Sequence, residues 1–175
     1  IDVFEYSGRI KSLRLLIEAE GLDAYLAGTV ENAYYLSGLA YRPYERIFFV
    51  VVARDDEPFL VVPRLEEEHA KKVSWVKDVR SYSEFPAGSG KEWFTILAGH
   101  LKGYKRIGVE SSLPVGVQQF LNDGHRAVKV VDLVERLRIV KSSKEVEKIR
   151  FAAKVADKVA QRMLRNSKEG ASLLT

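Results

Sequence analysis

Glu66 and His69 stand three residues apart in a stretch that reads as helix, which stacks a carboxylate and an imidazole one turn apart. Such a pair can chelate a metal, but a helical site of this kind uses a second Glu-x-x-His pair, and the chain has none. Glu66, Glu67 and Glu68 read better as a solvated first turn favoured by the helix dipole. Gly88-Ser89-Gly90-Lys91 resembles a phosphate loop only faintly, since Phe85 and Glu92 occupy positions where that motif needs Gly and Ser or Thr. It reads as a loop before a helix. No GxGxxG fingerprint and no GxSxG elbow occurs. His100 and His125 have no Ser or Asp at a spacing that would make either a general base. Glu110-Ser111-Ser112 follows a strand pattern and precedes a helix, so its polar groups read as a helix cap. Tyr41, Arg42, Tyr44 and Arg46 are the more informative set. Arg and Tyr dominate interfaces, and Arg forks carboxylates, so this segment is the candidate substrate-binding or interface loop. No residue is assigned as catalytic and none as a metal ligand.

These residues must be held by a fold, and the hydrophobic pattern predicts one. Glu5 to Glu20 reads as a helix with Ile10, Leu13 and Ile17 on one face and Gly21 as its cap. Strands are expected at Leu22 to Ala27, Arg46 to Ala53, Phe59 to Val62, Val76 to Tyr82, Arg106 to Val109 and Ala127 to Val131. The second and third are joined by four residues, too few for a crossover, so they pair antiparallel. Helices are expected at Asn32 to Ser37 (ending at Gly38), Arg64 to Lys72, Lys91 to Leu101 and from Pro114. Asn122-Asp123-Gly124 reads as a turn. The order predicts an α/β domain: a mixed β-sheet flanked by helices.

A different segment begins near Arg138. Ser142 and Glu145 form a capping-box pattern, and Val146, Ile149, Ala153, Ala156, Val159 and Met163 follow at helical spacing. One long helix to about Arg165 is expected, with little chain after it. Residues 1–137 are therefore expected to form one domain, and 138–175 a linker and the first helix of a second, truncated one. The alternative is a terminal helix docked back on the sheet.

The chain has 175 residues, 46% hydrophobic and 30% charged, as in folded globular proteins. Without cysteine it has no disulfide scaffold, thiol nucleophile or iron–sulfur site. Its longest apolar run, Ile47 to Ala53, is too short to span a membrane. No basic-then-apolar leader opens it, so it reads as cytoplasmic. It begins at Ile1 rather than Met, as a trimmed chain or fragment would. Asn and Gln total six, which together with many Lys, Arg and Glu resembles a heat-adapted (thermophile) composition. Net charge is +4, but residues 136–175 hold 11 Lys/Arg against 4 Asp/Glu. A nucleic-acid binder carries its charge on the folded body, so no nucleic-acid partner is expected.

The run Arg138-Ile-Val-Lys141-Ser142-Ser-Lys-Glu145-Val-Glu-Lys-Ile149-Arg150-Phe-Ala-Ala153 strongly resembles a segment of the proline-specific metallopeptidases. These are Xaa-Pro dipeptidase (prolidase) and aminopeptidase P, with creatinase as a non-peptidase relative. Asn32-Ala-Tyr-Tyr-Leu-Ser-Gly38 and Ile107-Gly-Val-Glu-Ser111 agree, and the match runs in order along the chain. The resemblance implies a ribonuclease-H-like creatinase N-terminal domain, followed by the first helix of a "pita-bread" catalytic domain. It implies a parent hydrolase that cleaves short proline-containing peptides with two divalent metals, whose ligands (two Asp, one His, two Glu) lie beyond Thr175. It implies a non-catalytic role here: capping the active-site cleft and supporting a homodimer, with residues 39–46 leaning toward the partner's site and Arg42 or Arg46 pairing with a substrate carboxylate. A stand-alone binding or dimerisation module of the same fold is the alternative.

Overall fold

The computed structural model describes residues 3–42, 44, 46–83, 92–124 and 126–167. The chain divides into two compact units, residues 1–137 and 138–175.

The first unit is built on a six-stranded mixed sheet in the order β4-β3-β2-β1-β5-β6. The strands are β1 (Ala24–Ala27), β2 (Phe49–Ala53), β3 (Phe59–Pro63), β4 (Asp78–Tyr82), β5 (Arg106–Val109) and β6 (Ala127–Val130). β2 runs antiparallel to both β1 and β3, as the short β2–β3 connection requires. The remaining pairs, β1 with β5, β5 with β6 and β3 with β4, are parallel and are joined through helices.

Alternation along the strands sorts the core onto two faces. Tyr25 and Ala27 of β1 meet Val50 and Val52 of β2 on one face, beneath Ile10, Leu13 and Ile17 of α1 (Val3–Ala19) and Leu36 of α2 (Val30–Ser37). Ala24, Leu26, Phe49 and Val51 point to the other face. There they pack on Trp93 and Leu97 of α4 (Glu92–His100) and Val117 and Leu121 of α5 (Val115–Asp123). Arg64–Glu66 is a 3-10 turn leading into α3 (Glu67–Val73).

Several expectations shift at their edges. β2 begins at Phe49, opposite Val61 of β3, rather than at Arg46. β1 begins at Ala24 because the N–H of Leu22 is still held by the α1 carbonyl of Ile17. β4 begins at Asp78, the first residue with a partner on β3. Asn122 and Asp123 are not a turn. They continue α5, and the chain leaves the helix only at Gly124, whose N–H still reaches the Phe120 carbonyl. Pro114 sits just outside α5 as its N-cap rather than in its first turn. A helix absent from the sequence-based expectation, α6 (Leu133–Ile139), follows β6, with Leu133 and Val134 buried against the α1 face. The loop expected at 85–90 and the phosphate-loop-like stretch at 88–91 lie outside the described residues.

In the second unit α7 runs Ser143–Asn166, 24 residues. The capping box forms as its spacing predicts: Glu145 N–H donates to Ser142 Oγ (3.2 Å), and Ser142 N–H to Glu145 Oε2 (2.8 Å). No residue of α7 is buried.

Candidate functional site

The candidate loop grows out of α2. Thr29 caps that helix through its hydroxyl, and Gly38 ends it in the left-handed conformation (φ 74°), its N–H returning to the Tyr34 carbonyl. Beyond Gly38 the four predicted site residues divide. Tyr41 is half-buried, its ring edge-on to Phe48 at 5.7 Å, so it anchors the loop to the core. Arg46 is half-buried. Arg42 and Tyr44 are exposed, and Tyr44 has φ 55°. A tyrosine in the left-handed region is uncommon and costs about 1–3 kcal/mol, a cost that is characteristic of ligand and switch segments. Arg42 and Tyr44 thus present a cation and an aromatic ring to solvent from a loop tethered at Gly38 and Tyr41.

On α1 and α2, behind this loop, Arg9 is layered between aromatic rings. Its guanidinium lies 4.0 Å from the Tyr35 ring centre and 5.2 Å from that of Tyr6, and it donates to the Tyr35 carbonyl and to Glu5. Tyr6 in turn stacks near Trp75 and lies directly under Gly38.

The C-terminal ends of β1 and β5 carry a buried polar centre. Glu110 is fully buried. Its Oε2 accepts the N–H groups of Gly28 (3.0 Å) and Thr29 (2.8 Å), and its Oε1 accepts Asn32 Nδ2 (2.7 Å). Asn32, also fully buried, donates its second amide proton to Glu135 Oε1 on α6 (2.6 Å). Burial pushes the Glu110 carboxyl up; the N–H donors oppose it, and the Glu135 charge adds to it. Glu110 is therefore a cap, as expected, but of α2 across the sheet rather than of the helix that follows it. Asn32, Glu135 and the Tyr25 hydroxyl, which bridges the Val131 carbonyl and the Leu133 N–H, belong to the same centre and were not singled out from sequence. Asn32 and Glu110 both lie in the stretches that carry the family resemblance. Glu135 lies in α6 and had no signal.

At the opposite end of these strands a cleft of about 700 Å³ is lined by Asp23, Arg54, Asp55, Lys105 and Arg106 among others. Asp23 accepts the Lys105 and Arg106 N–H groups and the Arg106 guanidinium. Burial raises its carboxyl, but these donors outweigh burial and hold it below the ordinary range. Arg54 pairs with Asp55. The cleft's carboxylates are thus each bound to a neighbouring guanidinium.

The histidines do not gather a site. His100 lies against the Phe59 ring, and burial together with nearby Arg80 lowers its pKa. His69 is exposed, and neighbouring Glu67 is occupied by Lys71 and Ser81. His125 lies outside the described residues. The two divalent metals that the family resemblance implies find no donor set here: among the described residues no group of three or more His, Asp or Glu is placed to hold a metal ion. No helix among the described residues is long and apolar enough to cross a membrane.

Residues 9–140 match the creatinase/prolidase N-terminal domain family. The Xaa-Pro dipeptidase of Pyrococcus horikoshii is 29% identical over 167 residues, 93% of this chain and 43% of that protein. The crystal structure of the prolidase from Pyrococcus horikoshii OT3 superposes with a TM-score of 0.75, covering 93% of this chain and 44% of that one. The creatinase/prolidase N-terminal domain of an X-Pro dipeptidase from Streptococcus pyogenes shares the fold at 22% identity and a TM-score of 0.61, covering 71% of this chain and 99% of that one. The chain therefore spans less than half the length of the curated dipeptidase it matches.

Proposed function

Because the chain belongs to the creatinase/prolidase N-terminal domain family, we propose that it is the non-catalytic N-terminal domain of a metal-dependent Xaa-Pro dipeptidase or aminopeptidase. In this reading it caps the catalytic cleft of a domain outside residues 1–137, restricts that cleft to short proline-containing peptides, and supports a homodimer. The observation that carries it is one of extent: nearly all of this chain aligns with less than half of a dipeptidase. Peptide-bond hydrolysis of this class uses metals to polarise the carbonyl and generate the attacking hydroxide, and the described residues hold no group suited to bind them. The purified 175-residue chain is expected to show no metal-dependent release of proline from an Xaa-Pro dipeptide. Turnover that a chelator abolishes and a divalent metal restores would overturn the reading.

The part of this domain best suited to meet substrate is the loop of Tyr41, Arg42, Tyr44 and Arg46. Arg42 is exposed beside a ring held at positive φ, and a guanidinium there can fork the carboxylate of a short peptide. In the longer enzyme, Arg42→Ala is expected to raise KM for dipeptides roughly tenfold, the loss of one charge-assisted contact of about 1.5 kcal/mol, with metal content unchanged. Wild-type kinetics and an unaltered preference for peptide length in that variant would remove Arg42 from this role.

A further inference from the structure

Arg9 of α1 reaches the end of α2, the helix from which the loop of Tyr41, Arg42, Tyr44 and Arg46 sets out. A helix leaves its last carbonyls without intrahelical partners, and here they are taken up from three directions. The Tyr34 carbonyl accepts the Gly38 N–H. The Ser37 carbonyl accepts the Trp75 N–H (2.8 Å) and the Ser74 hydroxyl (3.2 Å), both from the connection between α3 and β4. Arg9 Nη1 donates to the Tyr35 carbonyl (2.8 Å) from α1.

Arg9 therefore holds Tyr35 twice, by its carbonyl and by its ring, over which the guanidinium lies at 4.0 Å. The same guanidinium is 5.2 Å from the Tyr6 ring centre, and Glu5, one turn back, meets its charge. Tyr6 extends the support to the helix end: a Cβ on Gly38 would come within 2.9 Å of its hydroxyl, and its ring stacks with Trp75 at 6.4 Å. The Arg9 side chain is only 12% exposed, so water has little access to take over these contacts.

We propose that Arg9 is a positioning residue: it fixes the last turn of α2 and thereby the direction in which the loop carrying Arg42 leaves the domain, a role that rests on the contact of that loop with substrate proposed above. Arg42 stands four residues beyond Gly38, so a small rotation at the end of α2 is carried across up to about 14 Å of chain. Tyr44 reports on the same hold. It keeps a φ of 55° although it is 82% exposed, so its own burial does not keep it in the left-handed region. The anchored chain before it must do so: Tyr41 on Phe48 within the loop, and Arg9 at its base.

The first test is by NMR on the 175-residue chain, through the amide shifts of residues 39–42 and the intraresidue HN–Hα NOE of Tyr44, which is strongest at positive φ. Arg9→Ala is expected to weaken that NOE and move those shifts, with the signals of β1 and β2 in place. Arg9→Lys keeps the charge but cannot lie flat over rings while donating to a carbonyl. It is expected to move the same signals part of the way, and it decides the matter if Arg9→Ala does not fold. Loop signals at their wild-type positions in the folded variants would overturn the proposal. The second test is kinetic, in the longer enzyme. Arg9→Ala is expected to raise KM for Xaa-Pro dipeptides about threefold with kcat unchanged, and Arg9→Lys to restore part of it. A loss of folded enzyme alone would lower kcat and leave KM. The increase should vanish in an Arg42→Ala background, where no guanidinium is left to aim. An increase that persists there would overturn the proposal, because Arg9 would then act by another route. If Arg42→Ala itself leaves KM unchanged, the substrate reading of the loop falls and the role of Arg9 with it, whereas unchanged loop signals remove Arg9 alone.

Discussion

Glu110→Ala is expected to lower the stability of this chain by about 3 kcal/mol at neutral pH. The side chain is fully buried and serves three donors at once, so its removal leaves the part-buried Gly28 and Thr29 N–H groups and one buried proton of Asn32 without their acceptor. Each stranded donor costs about 1–3 kcal/mol, while relief of the buried charge and of its repulsion by Glu135 returns part of that. Glu110→Gln keeps an oxygen for the two N–H groups but turns an NH2 toward the NH2 of Asn32, so a loss of about 1 kcal/mol is expected. Urea unfolding at pH 7 separates the cases by midpoint at constant slope. A Glu110→Ala midpoint indistinguishable from wild type would mean that water replaces the carboxylate, and that Glu110 does not organise the α2 start.

The second large effect is expected at Gly38. Its φ of 74° lies where only glycine is unstrained, and a Cβ there would sit 2.9 Å from the Tyr6 hydroxyl. Tyr6 has little freedom to yield, since its ring stacks on Trp75 and carries Arg9 over its face. Gly38→Val combines left-handed strain of about 1–2 kcal/mol with an overpacking cost of about 1 kcal/mol or more. A loss of about 2–3 kcal/mol is therefore expected, with Gly38→Ala at roughly half of it. Because Gly38 aims the segment carrying Tyr41, Arg42 and Tyr44, Gly38→Ala in the longer enzyme is also expected to raise KM in the same direction as Arg42→Ala. A Gly38→Val chain as stable as wild type would show that the loop can leave α2 by another route.

Both sites bear on what could be read from the residues alone. The strands and most helices were legible because they are local: Phe49 to Val52 is an unbroken β-branched and aromatic run, and Ser142 with Glu145 announces a helix start within four residues. Gly38 was legible as a helix end for the same reason. α6 was not. Its seven residues hold Leu133 and Val134 by burial against the α1 face, a contact that has no counterpart in neighbouring sequence. Asn122 and Asp123 misled because their turn preference is a weak local bias, which a helix still anchored by Val117 and Leu121 overrides.

By itself, the sequence determined the α/β class, the antiparallel β2–β3 pair, the capping box of α7 and, through three short stretches, the family. The tertiary structure decided what two of those stretches hold together. Asn32 and Glu110 are 78 residues apart in sequence, and Glu135 lies 103 residues from Asn32. They meet because β1 and β5 are parallel neighbours whose ends deliver α2 and Glu110 to the same edge, and because β6 beside them returns α6 to it. A buried carboxylate joined to a second through one amide is a property of where chains cross, and its chemistry comes from desolvation and from that shared amide, neither of which a linear pattern encodes.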